Sequence, residues 1–152
     1  MKLKAIIEIP KDNDQRWHLD YFSPEIKNFG PIKSVIPIND GKMPVAYGYI
    51  ENVFNHEETN EDGIKENLDV LVFSNKDFGI GESIDVTPFA MFVREDGDHK
   101  VISRDETFPL EKWKDISLVE RELLLEFFGY KSKIKEIVEK NKTEEYITLN
   151  SQ

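Results

Sequence analysis

The sequence predicts a mainly β fold (α+β): a small closed or nearly closed β-barrel with helices packed outside it at the C-terminal end. Two observations lead to this prediction. Short apolar runs of strand type recur at even spacing as far as Pro109, separated by turn signals rich in Gly, Pro, Asn and Asp. After Pro109 the pattern becomes helical, beginning with a capping box formed by Ser117 and Glu120. We therefore expect one domain over residues 1–152, without an internal repeat.

The strands are predicted from apolar runs bounded by turn residues. In chain order they are Leu3–Ile9, Arg16–Leu19, Ile32–Ile38, Val45–Val53, Leu68–Phe73, Ser83–Arg94 and His99–Arg104. Pro88 lies inside the longest run, so we expect that strand to be bulged or to lie at an edge. The turn Glu95–Asp98 joins the last two strands into a hairpin. An acidic loop is predicted over Asn55–Lys65.

The C-terminal part predicts a helix from Ser117 through Phe128, since its length and content are helical. The run Lys131–Lys142 continues this pattern, with Ile134, Ile137 and Val138 at helical spacing. Glu144–Leu149 is predicted as a last short strand.

Composition excludes several classes of protein. The net charge of −10 argues against a nucleic-acid partner, which requires a basic stripe to release counterions. The chain has no cysteine, so disulfides and thiolate metal sites are excluded. The N-terminal apolar run is too short for a signal peptide, and no run is long enough to span a bilayer. We expect a cytoplasmic protein with no membrane partner.

The most informative feature is an acidic turn that leads directly into an apolar strand. Glu66 and Asp69 lie at the start of the Leu68–Phe73 run, at the mouth of a buried element. Carboxylate oxygens placed in this way suit a hard cation such as Mg²⁺.

Six blocks in register resemble motifs of the soluble (family I) inorganic pyrophosphatases. Those motifs, in order, are E-I-P, a lysine before an aromatic residue, Y-P-x-N-Y-G-[FY]-I, D-x-D-P-x-D before V-L-V, D-x-x-D-x-K, and F-F-x-x-Y-K. The blocks of this chain that resemble them are Ile7–Pro10, Arg16–Trp17, Met43–Ile50, Ile64–Val72, Glu95–Lys100 and Phe127–Lys131. Arg16 replaces the lysine of the second motif, and the last block is one residue shorter than its motif. The resemblance covers roughly residues 3 to 131 and implies an OB-like closed barrel.

The resemblance implies Mg²⁺-dependent hydrolysis of pyrophosphate to two phosphates, with Mn²⁺ as an alternative metal. Glu66 is implied as the base that activates the attacking water and, with Asp69 and Asp98, as a metal ligand. The residues implied to bind or surround the phosphates are Glu8, Arg16, Tyr47, Lys100, Tyr130 and Lys131. Members of the family are commonly homo-oligomers, so a homo-oligomer is a further expectation.

The chain departs from the family pattern at several charged positions. Ile64 stands where the acidic turn should begin with Asp, and Glu66 replaces the second Asp. The arginine that the family has in the strand after the first turn is expected near residues 33–35, where this chain has none; Lys33 can act there as a point charge. The first acid of the later block is replaced by Arg94 or, with a shift, by Glu95. The family's usual C-terminal strand and helix are expected to be missing.

Each implied residue also has a structural interpretation. Asp69 and Asp98 could be ordinary turn residues, and Lys100 could be a solvated lysine on a strand. Glu8 and Arg16 could form an ion pair between strands. Two alternative functions therefore remain open: a related enzyme acting on another phosphate compound, and a non-catalytic barrel that binds a phosphate ligand or a protein partner.

Overall fold

The computed structural model of the protein describes residues 1–19, 25–59 and 65–151. The strands are β1 (Leu3–Ile9), β2 (Gln15–Leu19), β3 (Ile26–Pro31), β4 (Ala46–Thr59), β5 (Lys65–Phe73), β6 (Ser83–Arg94), β7 (Lys100–Arg104) and β8 (Ile134–Glu139). The α-helices are α1 (Leu118–Phe128) and α2 (Lys140–Leu149). Single 3-10 turns occur at Ile32–Ser34, Asn39–Gly41 and Trp113–Asp115.

Five strands close into a barrel in the order β1, β4, β5, β7, β6, and β6 pairs again with β1. The pairs are antiparallel except β5 with β7, which is parallel. Strand β8 extends the sheet beyond β6, and β2 and β3 form a separate two-stranded sheet. Closure removes the unpaired edges that an open sheet of this size would leave. The predicted OB-like barrel with C-terminal helices is confirmed.

The core has two parts because successive side chains of a strand point to opposite faces. Leu68 and Val70 belong to one cluster, which receives side chains from all five barrel strands and is completed by Ile147 of α2. Leu71 and Phe73 of the same strand belong to the other cluster, which packs against α1 and the Trp113 turn. Asp69 shares the face of Leu71, so it lies on the side of the barrel that α1 covers.

Several predicted elements have the expected bounds. Strands β1 and β6 begin and end as the sequence predicts, and the β6 pairing is irregular between Pro88 and Ala90, as expected for a proline within a strand. Strands β4 and β5 are longer than predicted and take in much of the expected acidic loop. Ile64, which replaces the first acid of the turn, lies outside the described residues.

The predicted strand Ile32–Ile38 is wrong. The chain forms a 3-10 turn over Ile32–Ser34, in which the Val35 and Ile36 N–H groups donate to the Ile32 carbonyl at 2.8 Å. Pro31 and Pro37 flank this segment and have no N–H to donate to a strand ladder. The extended segment lies earlier, in β3.

The predicted order of the last two elements is also wrong. Residues predicted to continue the helix form β8, where Val138 pairs with Met91, and the predicted last strand is the helix α2. The expectation that a C-terminal strand and helix are missing is therefore wrong as well. Pairing with β6 outweighs the helical spacing of the isoleucines, a tertiary effect that local periodicity does not reveal. Thr143 and Ile147, four residues apart, form the buried face of α2.

Helix α1 begins with the capping box that the sequence predicts. The Ser117 hydroxyl accepts the Glu120 N–H at 3.3 Å and donates to the Glu120 carboxylate at 3.1 Å. Replacing Ser117 by Ala is expected to destabilise the protein by about 1 kcal/mol, because a helix N–H loses its partner. Chemical denaturation followed by circular dichroism measures this, with Ser117→Asp as the control that retains a capping oxygen. Equal losses in the two variants would contradict a capping role.

Among the helices of the described residues, none is long and apolar enough to cross a membrane.

Candidate active site

The site begins with two neighbouring residues on the parallel strands β5 and β7. Asp69 is the register partner of Lys100, so their side chains emerge side by side on the same face of the sheet. The Lys100 Nζ lies 2.7 Å from the Asp69 Oδ2. Only 6% of the Lys100 side chain is exposed, so this ion pair is held away from bulk water.

Two further groups contact the same ammonium group. Lys100 Nζ donates to the Asp98 Oδ2 at 3.0 Å and to the Tyr47 hydroxyl at 2.8 Å. Asp98 lies two residues before Lys100, at the end of the β6–β7 turn. Tyr47 comes from β4, and its ring stacks on Phe128 of α1 with a centroid separation of 5.9 Å. The site therefore combines residues of β4, β5, β7 and the turn that leads into β7, and α1 packs against its tyrosine.

Electrostatics in this cluster favour a cationic lysine and a proton-donating tyrosine. Burial raises the pKa of Asp69 to about 7; the Lys100 ammonium opposes this rise and the Asp98 carboxylate adds to it. Burial alone lowers the pKa of Lys100, but the combined field of Asp69 and Asp98 raises it overall. Burial, followed by these two carboxylates, raises the pKa of Tyr47, so its phenol retains the proton.

A cavity of about 500 Å³ opens beside this cluster. Its polar and charged lining comprises Arg16, Tyr47, Arg94, Asp96, Asp98, Lys100 and Lys131. Four of these side chains are cationic and two are acidic, and counting Asp69 still leaves an excess of positive charge. Because the whole protein carries a net charge of −10, this local excess indicates a cavity suited to an anion.

Arg94 is the cavity residue whose role the sequence interpretation missed. Its Nη1 donates to the Asp98 carbonyl at 3.2 Å and lies 3.5 Å from the Asp98 Oδ2, while its Nη2 lies 3.8 Å from the Asp96 Oδ2. The sequence does contain a signal: a cation ends a long apolar strand, at or next to the position where the resembled family has an acid.

Glu8 lies in the barrel wall and supports β2. Its buried carboxylate accepts the Leu19 N–H at 3.0 Å and lies 3.1 Å from the His18 Nδ1. The hydrogen bond between the Glu8 carboxylate and the His18 ring raises the pKa of His18, although burial of the ring lowers it. Arg16 lines the cavity and donates from Nη2 to the Phe29 carbonyl at 2.9 Å. In the described contacts, Glu8 and Arg16 therefore have separate partners instead of forming the ion pair considered above.

Three other predicted residues differ in how they relate to the cavity. Lys131 follows α1 and lines the cavity. Tyr130 is 52% exposed and lies outside the lining, as does the half-buried Glu66. Among the described residues, no three Asp, Glu or His side chains are arranged to hold one metal ion. Of the three predicted metal ligands, Asp69 and Asp98 thus come together at Lys100, whereas Glu66 is not part of the cavity lining.

Asp69 and Asp98 nevertheless fit Mg²⁺ as a pair. Mg²⁺ in phosphate sites is usually held by one or two carboxylates, with phosphate oxygens and water completing its shell. The two carboxylates approach the same ammonium, and the negative charge of Asp98 raises the pKa of Asp69, as expected of two acids that lie close together. This donor set suits one magnesium ion better than a cluster of several.

The fold is that of solved inorganic pyrophosphatases. The enzyme from Ehrlichia chaffeensis superposes with a TM-score of 0.80 at 18% identity, covering 98% of this chain and 92% of that one. The enzyme from Helicobacter pylori gives 0.79 at 21% identity, covering 99% and 91%. That from Coxiella burnetii gives 0.76 at 21% identity, covering 99% and 93%. No curated protein sequence matches the chain significantly.

The family model for inorganic pyrophosphatase matches residues 5–150, so the chain belongs to the inorganic pyrophosphatase family. Family membership and the predicted enzyme class, a phosphoanhydride hydrolase, are thereby confirmed. Family and fold together support hydrolysis of pyrophosphate. The family is in general one of metal-dependent enzymes.

Proposed function

We propose that the protein hydrolyses inorganic pyrophosphate to two phosphates with the help of Mg²⁺, in the cavity beside Lys100. The observation that supports this proposal is the buried Lys100 ammonium, which contacts Asp69, Asp98 and Tyr47 at the edge of a cation-rich cavity. A phosphate needs such donors, and a magnesium ion needs such carboxylates.

The residues act mainly by binding and orienting the substrate. Lys100 and the Tyr47 hydroxyl donate to phosphate oxygens, and Arg16 and Lys131 neutralise charge elsewhere in the cavity. Asp69 and Asp98 hold Mg²⁺, with Mn²⁺ as a substitute. When bound, the metal offsets phosphate charge and lowers the pKa of a water molecule.

The remaining assignments depend on the sequence resemblance. Glu66 is proposed as the general base that takes a proton from the attacking water and as a further metal ligand. Glu8 and Tyr130 are proposed to complete the surroundings of the substrate. A cytoplasmic location and a homo-oligomeric state are likewise proposed, and size-exclusion chromatography with light scattering tests the latter.

The experiment is phosphate release from pyrophosphate with Mg²⁺, comparing the wild type with Asp69→Asn. We expect the variant to lose at least about 100-fold in turnover, because a neutral amide neither balances Lys100 nor binds Mg²⁺ as a carboxylate does. Asp77→Asn is the matched control, since Asp77 is an exposed acid in the loop after β5. Mn²⁺ is tested as the second metal.

A wild type no more active than Asp69→Asn with either metal would overturn the proposal. A second candidate, a non-catalytic barrel that binds phosphate, would then take its place. It is favoured by one observation: Arg94 and Lys100 already neutralise Asp96, Asp98 and Asp69 within the protein. A screen of other phosphate compounds would then separate it from an enzyme of altered substrate choice.

A further inference from the structure

Arg94 occupies an unusual place for an arginine. Only 7% of its side chain is exposed, yet it lines the same cavity as Lys100 and Lys131. Long charged side chains are rarely buried unless they are paired. Arg94 has partial pairing with Asp98 and Asp96 at distances of 3.5 and 3.8 Å, longer than a strong charge-assisted hydrogen bond.

The guanidinium group also retains unused donor capacity. The Arg94 Nε is buried and has no hydrogen-bond partner among the described residues. A buried N–H without a partner is costly, and such groups in folded proteins usually have a specific reason. Arg16, which lines the same cavity, has a buried Nε without a partner as well. Both Nε atoms are enclosed by protein and out of a ligand's reach; what points to an anionic ligand is that two guanidinium groups line the same cavity.

Charge arrangement points the same way. The first acid of the resembled block is replaced by Arg94 or, with a shift, by Glu95; in the first of these alignments the chain has a cation where the motif has a carboxylate. A guanidinium group fits phosphate oxygens with two parallel N–H groups, whereas a carboxylate there would repel phosphate unless a metal ion lay between them. With Arg94 at that position, the substitution exchanges an indirect contact through a metal for a direct contact.

We propose that Arg94 binds the substrate phosphate directly and supplies positive charge that a metal ion would otherwise bring, so that pyrophosphate binds this protein without metal. This inference rests on the proposed function for the identity of the anion, but it concerns binding and not turnover. It predicts a phosphate cavity that remains functional for binding in the presence of a chelator.

The test is calorimetric titration of pyrophosphate into the protein in excess EDTA. The wild type is expected to bind, and Arg94→Met is expected to bind at least about 10-fold more weakly, since a charge-assisted contact is lost. Arg94→Lys retains the charge without the planar fork and is expected to lie between them. Arg121→Met is the matched control, because Arg121 on α1 also has a buried, unpartnered Nε but lies outside the cavity.

The second experiment on this proposal reverses the charge at position 94. Arg94→Asp is expected to abolish binding of pyrophosphate in EDTA and to tighten binding of Mn²⁺ alone at least about 10-fold, because it adds a carboxylate beside Asp98. Mn²⁺ binding is measured by electron paramagnetic resonance on the metal-free protein. Unfolding curves show whether each variant folds; if Arg94→Met does not, Arg94→Lys decides the question.

The inference is overturned if the wild type does not bind pyrophosphate in EDTA, or if Arg94→Met and Arg94→Lys both bind as tightly as the wild type. Arg94 would then serve only to hold the β6–β7 turn through Asp96 and Asp98. Turnover with Mg²⁺ is assayed separately. Turnover without metal-free binding overturns this inference alone, and binding through Arg94 without turnover overturns the proposed function alone.

Discussion

Replacing Lys100 by Met is expected to destabilise the fold by about 3 kcal/mol at pH 8 and to reduce turnover at least about 100-fold. The variant retains the apolar length of the side chain but leaves Asp69 and Asp98 without their shared ammonium, which lies 2.7 and 3.0 Å from them. Breaking a buried ion pair typically costs about 3–5 kcal/mol. We expect the lower end, since 22% of the Asp69 and 23% of the Asp98 side chain remain exposed.

The loss of stability should depend on pH. The pKa of Asp69 is about 7 in the folded protein, raised above its unfolded value, so the folded state binds more protons than the unfolded state between these two values. Stability therefore falls as the pH rises through this window. Without Lys100 the pKa of Asp69 rises further, so the carboxyl group is protonated at pH 5 and the variant loses less stability there than at pH 8.

Urea unfolding at pH 5 and pH 8 measures this difference. Lys135→Met, which removes an exposed lysine from β8, is the matched control and should be nearly neutral at both pH values. Combining Lys100→Met with Asp69→Asn should restore part of the stability at pH 8 without restoring turnover. If Lys100→Met loses the same stability at both pH values, the cost comes from packing and not from uncompensated carboxylates.

The barrel could largely be predicted because its strands carry local signals. Pro10 ends β1, and the Glu95–Asp98 turn separates β6 from β7, so their bounds follow from turn chemistry alone. The start of α1 follows from the Ser117 hydroxyl for the same reason. The C-terminal elements could not be predicted, because β8 exists through its pairing with β6 and its own residues are equally suited to a helix.

The contact between Asp69 and Lys100 could not be predicted from the local sequence around either residue. Their contact depends on the register of two parallel strands that are separated by the whole of β6, and register is a tertiary property. The family resemblance placed both residues in one site, and the structure brings them together with Tyr47 and Asp98. The role of Arg94 could not be predicted from the sequence, because it depends on the burial of the side chain and on its contacts with Asp96 and Asp98.

Replacing Gly48 by Ala is expected to destabilise the barrel by at least about 3 kcal/mol. Gly48 of β4 pairs with Ile7 of the neighbouring antiparallel strand β1. A Cβ added at Gly48 would lie 1.8 Å from the Ile6 carbonyl oxygen. The Ile6 carbonyl belongs to the backbone of the closed barrel, so it cannot move away by a change of rotamer as a side chain could. Because Gly48 follows Tyr47, any shift of β4 should also move the Tyr47 hydroxyl away from Lys100 and weaken binding of pyrophosphate.

Gly79→Ala is the matched control, because a Cβ at Gly79 has no atom within 4 Å and its φ is not positive. We expect that variant to be neutral or stabilised by up to about 1 kcal/mol, since alanine restricts the unfolded chain. Thermal and urea unfolding of both variants, with calorimetric titration of pyrophosphate, separates the two effects. Equal stability in both would mean that β1 and β4 can part by more than an ångström without opening the barrel. Gly48 would then have no part in fixing Tyr47 beside Lys100.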